Sequence, residues 1–155
     1  MKKKILILGG GVSREREISL KTASQVKNCL KKKYKVLQSD LVGDFEKKLK
    51  SFKPNIVFNA LHGRFGEDGY AQSILENYGI KYTHSGVLSS ALAMDKVASK
   101  KIFIKNKILT PKFIIFKYNL DNIIFLKKEI KKKLKFPVVI KPINEGSSVD
   151  VYIST

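Results

Sequence analysis

Residues 61–69 concentrate polar and conformationally free residues directly after the apolar run Ile56-Val57-Phe58. The nine residues include three glycines, one histidine, one arginine and two carboxylates. Glycine accepts positive φ and carries no side chain, so it lets main-chain N–H groups approach a ligand. The pattern predicts a binding loop. The alternative is a tight surface turn that uses glycine only for its geometry.

A second loop, Gly9-Gly10-Gly11, follows an apolar run and precedes a helical pattern. This is the setting of a dinucleotide-binding fingerprint, but Arg14 stands where that motif requires its third glycine. A glycine loop at a helix N-terminus favours an anion, whereas the carboxylate of Glu15 favours an amino group. A plain strand-to-helix turn, in which Glu15 and Glu17 only complement the helix dipole, is the alternative.

A third segment begins with Lys141, which ends the apolar run Val138-Val139-Ile140. A lysine on a rigid element has its ammonium held in one place, which suits a phosphate group. Residues 145–148, Glu-Gly-Ser-Ser, add hydroxyls and backbone donors and predict an anion cradle. The alternative for Lys141 by itself is an edge residue whose stem covers apolar surface.

The formal net charge of +18 raises the possibility of nucleic-acid binding. Only three of the 31 basic residues are arginine, the residue that reads bases and binds phosphate bidentately. The lysines spread along predicted helices, whereas a basic nucleic-acid-binding module would gather them on one face. We therefore expect no nucleic-acid partner.

No run approaches the roughly 18 uncharged apolar residues of a membrane span. Lys4 is followed by only four apolar residues, too few for a secretory signal. We therefore expect a cytoplasmic chain with no membrane partner. The helical spacing of Cys29 with Val26 and Leu30 predicts a small core residue.

Alternating strands and helices must position these loops. The apolar runs that predict strands lie at residues 4–8, 34–39, 55–61 and 82–83. The helical spacings lie at residues 17–30, 45–52 and 70–78. This alternation predicts a parallel sheet with helices on both faces. Ligands of such sheets bind beyond the carboxyl ends of the strands, where the loops at Gly9 and His62 both lie.

The pattern changes near Met94, and we place a domain boundary there, between residues 1–95 and 96–155. The second unit is predicted to contain helices at residues 95–107 and 121–134 and strands at residues 113–116, 138–141 and 149–155. Its sheet has few strands, and an isolated pair of strands is marginal in water. We expect a second unit that is either unusually small or cut short.

In order along the chain, these segments resemble the D-alanine–D-alanine ligases of the ATP-grasp superfamily. Each motif alone is weak, but their joint order over residues 4–151 is specific. The matching residues are Gly9-Gly10, Ser13, Glu15-Arg16-Glu17-Ile18-Ser19-Leu20, Ala60-Leu61-His62-Gly63, Gly66-Glu67-Asp68-Gly69, Tyr82-Thr83, Ser85-Gly86, Ser90-Ala91, Met94-Asp95-Lys96, and Lys141-Pro142 with Glu145-Gly146-Ser147-Ser148-Val149.

The resemblance implies an α/β substrate domain that precedes an ATP-grasp fold, with residues 96–155 forming an incomplete first α+β lobe of that fold. It also implies a reaction. ATP phosphorylates the carboxylate of one D-alanine, and the amine of a second D-alanine attacks the acyl phosphate, which serves peptidoglycan precursor synthesis. A related ligase that makes D-alanyl-D-lactate remains an alternative.

The resemblance assigns roles to single residues. Glu15 falls where the family holds the ammonium of the first substrate, and His62 where a histidine contacts that substrate. Ser147 matches a serine that positions the substrate, so Glu15 and Ser147 are the catalytic candidates. The residues that fall on the nucleotide-phosphate site are Lys96, Lys141, Glu145, Gly146 and Ser148. These residue types suit a step that depends on positioning and charge neutralisation.

Two departures from the family bear on activity. Asp150 stands where the family pattern continues with glycine, so backbone freedom is lost and a negative charge is added beside a phosphate loop. An unpaired contact at roughly 4 Å costs about 4 kcal/mol at an effective dielectric of about 20. The second departure is that the family's metal ligands fall after Thr155.

We therefore expect no residue of this chain to bind the magnesium or manganese of the complete enzyme. We expect the chain to be the front part of a ligase, inactive alone, that arose by truncation, gene splitting or decay. A homodimer through the first domain is the partner that the resemblance implies, and a complementing second half is a further candidate partner if the chain is half of a split ligase. A remnant that only binds a partner is the non-enzymatic alternative.

Overall fold

The computed structural model describes residues 2–117, 123–146 and 148–155. The chain divides into two compact units, Met1–Met94 and Asp95–Thr155. No helix in the described ranges is long and apolar enough to cross a membrane.

The first unit contains a parallel sheet of four strands in the order β2-β1-β3-β4. The strands are β1 (Lys4–Leu8), β2 (Lys35–Ser39), β3 (Ile56–Asn59) and β4 (Lys81–Tyr82). Leu6 in β1 pairs with Leu37 on one side and with Val57 on the other. Because all four strands are parallel, their carboxyl ends lie at one edge of the sheet, as predicted.

Helices cover both faces of this sheet. They are α1 (Arg16–Leu30), α2 (Phe45–Phe52), α3 (Tyr70–Asn77) and α4 (Val87–Met94). On one face, Ile5 and Ile7 pack with Ala23 of α1. On the other face, Leu6 and Leu8 pack with a group that includes residues of α2 and α3: Phe45, Leu49, Val57, Leu61, Ala71 and Leu75. Successive strand residues point to opposite faces, which explains the division.

The prediction that Cys29 is a core residue is wrong, because Cys29 is exposed. The face of α1 that is buried carries the small residues Ser19 and Ala23. A Cβ added at Gly9 would lie 2.5 Å from the Cβ of Ala23, so this helix approaches β1 closely through small side chains. Cys29 precedes half-buried Leu30 by one residue and is therefore rotated about 100° away from it around the helix.

The second unit contains α5 (Lys96–Lys105), α6 (Ile123–Lys133) and an antiparallel pair, β5 (Val138–Ile140) with β6 (Tyr152–Ser154). The carboxylate of Asp95 caps α5 by accepting from the N–H groups of Val97 at 2.8 Å and Ala98 at 2.9 Å. The strand predicted at residues 113–116 does not form. The described sheet of this unit consists of β5 and β6, so residues 113–116 have no strand beside them to bond with. The predicted start of α6 at residue 121 lies outside the described residues.

Candidate functional site

The glycine loop after β1 is tied to the loop after β3 by one buried hydroxyl. Ser19 is fully buried on α1. Its Oγ accepts from the N–H of Gly10 at 2.8 Å and donates to the carbonyl oxygen of Ala60 at 2.7 Å. The two loops that carry Glu15 and His62 are therefore fixed against each other.

Glu15 is the N-cap residue of α1, and its side chain reaches the second loop. A Cβ added at Gly63 would lie 3.0 Å from Oε2 of Glu15. The N–H of Glu15 donates to Ser13 Oγ at 3.1 Å, and that hydroxyl donates to the carbonyl oxygen of His62 at 2.7 Å. The structure thus brings together Glu15 and His62, two of the residues that the sequence singles out.

The imidazole of His62 lies between a hydroxyl and a carboxylate. Its Nε2 is 3.5 Å from Thr22 Oγ1, and its Nδ1 is 3.8 Å from Glu67 Oε1. The other carboxylate oxygen of Glu67 accepts from the N–H of Gly63 at 2.8 Å. About a third of the His62 side chain, 31%, is exposed, so a small molecule can reach it.

Buried amides hold the loop at residues 61–69 in one shape. Asn59 accepts from the N–H of Leu61 at 3.0 Å and donates to the carbonyl oxygen of Gly66 at 2.8 Å. Gln72 donates to the same carbonyl at 2.8 Å. Phe65 is held at a φ of 66° while its N–H donates to Asp68 Oδ2 at 2.8 Å. This network goes beyond what a simple glycine turn needs.

We predict that Gly66→Ala destabilises the first unit by about 1–3 kcal/mol. The φ of Gly66 is not in the left-handed region, but a Cβ there would lie 2.3 Å from the Cβ of Leu61, whose side chain is buried. Thermal unfolding followed by circular dichroism measures the change. Gly86→Ala is the matched control, because its new Cβ has no neighbour closer than 3.9 Å. Equal melting temperatures for the two variants would contradict the prediction.

Sequence reasoning missed Asp40, which binds the glycine loop from the end of β2. Its Oδ1 accepts from the N–H of Gly11 at 2.8 Å, and its Oδ2 pairs with Arg16 Nη1 at 2.6 Å. Burial raises the pKa of Asp40, but hydrogen bonds from the N–H groups of Gly11 and Val42 and from Arg16 outweigh it and hold the pKa below 3.8. Asp40 directly follows a predicted strand, so the rule that selected Gly9 and His62 also points to it.

The lowered pKa of Asp40 gives a pH prediction. Because the pKa is lower in the folded than in the unfolded chain, the ionised carboxylate stabilises the fold above pH 3.8. That contribution is lost as the pH falls through the folded-state pKa. Asp40→Asn is therefore expected to flatten the fall in melting temperature as the pH drops below about 4. Identical slopes for the variant and the parent chain would contradict this.

The second unit gathers lysine ammonium groups. Lys96 Nζ donates to the carbonyl oxygens of Ile143, at 3.3 Å, and of Glu145. Lys100 Nζ donates to Thr110 Oγ1 at 3.1 Å and to the carbonyl oxygen of Pro111 at 2.6 Å. Both ammonium groups are bound to the chain's own oxygens, and the contacts of Lys96 hold the turn before residue 146.

Lys141 acts on both of these ammonium groups through its charge. Burial lowers the pKa of Lys96, and the positive charge of Lys141 lowers it further, against the carboxylates of Glu145 and Asp95. Burial and then Lys141 also lower the pKa of Lys100. Lys141 is thus close enough to repel the ammonium groups of both Lys96 and Lys100, and an anion such as phosphate would relieve that repulsion.

Two residues close to the C-terminal end that are not glycine have left-handed backbone. The φ of Ser148 is 61° and that of Asp150 is 52°. The N–H of Val149 donates to the carbonyl oxygen of Gly146 at 3.0 Å. Asp150, which stands where the family pattern continues with glycine, thus adopts a backbone conformation that glycine adopts most readily and that aspartate tolerates better than most residues. Ser147 lies outside the described residues.

The candidate residues divide between the units. Glu15 and His62 lie in the first unit, and the phosphate-site candidates Lys96, Lys141, Glu145, Gly146 and Ser148 lie in the second. Within the described ranges, no group of three or more His, Cys, Asp or Glu residues is placed to hold a metal ion. A shallow depression lined by Lys50, Lys53 and Tyr78 lies at the amino ends of β3 and β4, the edge opposite the two loops.

Comparison with known proteins gives a consistent result, although no protein-family profile matches the sequence. The D-alanine--D-alanine ligase of Pelagibacter ubique (strain HTCC1062) is 62% identical over 154 residues, which cover 99% of this chain and 50% of that protein. The chain thus spans about half the length of the curated relatives it matches.

Solved structures agree in fold. The D-alanine--D-alanine ligase of Bacillus anthracis matches 98% of this chain and 49% of its own, with a TM-score of 0.79 and 37% identity. The same enzyme complexed with ATP matches with a TM-score of 0.76 and 34% identity, again over 98% of this chain and 50% of its own. The VanG D-Ala:D-Ser ligase of Enterococcus faecalis is 31% identical, with a TM-score of 0.76 over 99% of this chain and 55% of its own. By sequence and by fold, this chain belongs to the D-alanine–D-alanine ligase family and corresponds to the N-terminal portion of its members.

Proposed function

We propose that this chain supplies the first-substrate and nucleotide-phosphate contacts of an ATP-dependent ligase that joins two D-alanines in the bacterial cytoplasm. The single observation that carries the proposal is the placement of the Glu15 carboxylate beside Gly63, next to His62, at the carboxyl edge of the sheet. An edge of this kind is where α/β proteins bind small ligands.

Glu15 and His62 would bind and orient the first D-alanine. A carboxylate that is partly withdrawn from water binds an ammonium by a charge-assisted hydrogen bond. With the ammonium held at Glu15, the imidazole of His62 on the adjoining loop would contact the rest of the D-alanine. Ser147 would complete this set, as the family resemblance implies. Each of these groups positions the substrate.

The second unit would bind phosphate. Lys96 and Lys141 would neutralise the charge that develops while the D-alanine carboxylate oxygen attacks the terminal phosphorus of ATP and ADP leaves. The amine of the second D-alanine would then attack the acyl carbon, expel phosphate and lose a proton.

A different second substrate is the competing candidate. Because the chain is similar to VanG, which is named as a D-Ala:D-Ser ligase, D-serine is a candidate second substrate together with D-alanine and D-lactate. The contacts proposed here concern the first substrate and the nucleotide, so they serve each of these ligases equally. Pairing of two copies through the first unit, and complementation by a separate second half, are further parts of the proposal.

Titration of the chain with D-alanine, followed by two-dimensional NMR, tests the proposal. We expect saturable shifts of the Gly63 and Gly11 amides and of the His62 ring, with weaker shifts for L-alanine. Shifts that are equal for both enantiomers, or that cluster at the depression around Lys50 and Tyr78, would count against the proposal.

Asp150 gives a separate prediction for nucleotide binding. Because the side chain is exposed, its repulsion of a phosphate is screened and is worth about 1 kcal/mol, or roughly fivefold in affinity. Asp150→Asn removes the charge and keeps a residue that tolerates left-handed backbone, whereas Asp150→Gly removes both charge and strain. We expect both variants to bind ATP more tightly in calorimetry. A gain confined to the glycine variant would mean that backbone strain, and not charge, weakens binding.

A further inference from the structure

Arg16 and Asp40 hold both polar groups of the Gly11 backbone. Asp40 Oδ1 accepts from the N–H of Gly11 at 2.8 Å and from the N–H of Val42 at 3.1 Å. Arg16 Nη1 donates to the carbonyl oxygen of Gly11 at 2.7 Å and lies 2.6 Å from Asp40 Oδ2. The glycine loop is therefore clamped by one side chain from the start of α1 and one from the end of β2.

The pair also explains why the loop carries glycine at residue 10. Gly10 has a φ of 102°, and a Cβ there would lie 2.3 Å from Asp40 Oδ2 and 2.9 Å from Arg16 Nη1. Both the backbone conformation and the lack of space require glycine. The side chains of Asp40 and Arg16 thus fill the space that a side chain at residue 10 would occupy.

A continuous set of contacts leads from this pair to the proposed substrate groups. Arg16 immediately follows Glu15, so fixing its side chain on Gly11 fixes the first turn of α1. Ser13 lies between Gly11 and Glu15 and bonds to both the N–H of Glu15 and the carbonyl oxygen of His62. The Glu15 carboxylate then lies against Gly63.

We propose that Arg16 and Asp40 are positioning residues, which set the distance between the Glu15 carboxylate and the loop of His62. The effect of the pair on loop geometry is a property of this chain alone, whereas its effect on D-alanine binding rests on the proposed function. An ion pair at the surface contributes little to stability, typically below about 1 kcal/mol. We therefore expect the Arg16–Asp40 pair to set the geometry of the loop and to add little to the free energy of unfolding. Displacing Glu15 by even about 1 Å would weaken recognition of an ammonium strongly.

Two variants test the pair, and one matched ion pair in the same unit serves as the control. Asp40→Asn keeps an acceptor for Gly11 and loses the charge, while Arg16→Gln removes the guanidinium. The control is Asp44→Asn, which breaks the Asp44–Lys48 pair, 2.9 Å long and distant in sequence from the glycine loop. The chemical shifts of the Gly63 amide and the His62 ring in NMR spectra of the full chain report on loop geometry. Titration with D-alanine measures the affinity for that substrate.

We expect both test variants to shift the Gly63 amide and the His62 ring and to weaken D-alanine binding roughly 10-fold or more, with the melting temperature close to that of Asp44→Asn. ATP affinity should not change. Unmoved Gly63 and His62 signals in both variants would overturn the proposal, and so would equal shifts in the control. If the parent chain binds no D-alanine, the proposed function fails, yet the NMR shifts still decide whether the pair positions the loop.

Discussion

Glu15→Gln is expected to reduce kcat/KM for D-alanine by about 10- to 100-fold in a complete enzyme made by joining this chain to the C-terminal half of the Pelagibacter ubique ligase. Glutamine keeps the shape of glutamate and loses its charge, and hydrogen bonds to charged groups are worth about 1.5–3 kcal/mol. The substrate ammonium would then be desolvated without a counter-charge beside Gly63. Steady-state kinetics with D-alanine as the varied substrate measures the loss.

Glu17 provides the matched control for this prediction. It is an exposed carboxylate in the first turn of the same helix, two residues from Glu15. If the loss reflects a specific contact, Glu17→Gln should keep nearly the parent kcat/KM. Equal losses in both variants would show that the effect comes from the helix dipole or from net charge, and the role of Glu15 would have to be abandoned.

Lys141→Met is expected to raise the KM for ATP by about 100-fold in the same joined enzyme. Lys141 directly follows β5, and its positive charge lowers the pKa of Lys96 and of Lys100. Removing it takes one of three cations from the proposed phosphate site. Methionine keeps the length and apolar stem of the side chain, so the fold should change little.

The same substitution makes a prediction about the remaining lysines. Because the charge of Lys141 lowers the pKa of Lys96 and of Lys100, both pKa values should rise in Lys141→Met. NMR titration of the Nζ groups follows this directly. Lys105→Met, at the exposed end of α5, is the control and should change neither the KM for ATP nor these pKa values. An unchanged KM in Lys141→Met would remove Lys141 from the phosphate site.

The parallel sheet could be predicted from the sequence because apolar runs and helical spacing alternate clearly up to Met94. The loops at Gly9 and His62 could be placed at the same edge, since parallel strands share that edge. The hydrogen bonds through Ser13 and Ser19 could not be predicted. The bonds that these two hydroxyls donate to the carbonyl oxygens of His62 and Ala60 join residues 49 and 41 positions apart, and a short polar side chain leaves no periodic signal.

The strands of the second unit were harder to predict, because a segment with high β-strand propensity forms a strand only where a neighbouring strand can pair with it. Residues 113–116 are apolar and β-branched or aromatic, yet they form no strand without a partner. The left-handed backbone at Asp150 was also unexpected, because glycine adopts it far more readily than aspartate does. In both places local sequence preference and the three-dimensional surroundings disagree, and the surroundings determine the outcome.

Formation of D-alanyl-D-alanine by the joined enzyme is the most direct test of the central claim, that this chain carries the first-substrate and phosphate contacts of a ligase. With ATP, magnesium and D-alanine, we predict dipeptide and phosphate in equal amounts, detected by mass spectrometry and a phosphate assay. The 155 residues alone should form neither. A joined enzyme that is folded and binds ATP but makes no dipeptide, or turnover by the chain alone, would contradict the account.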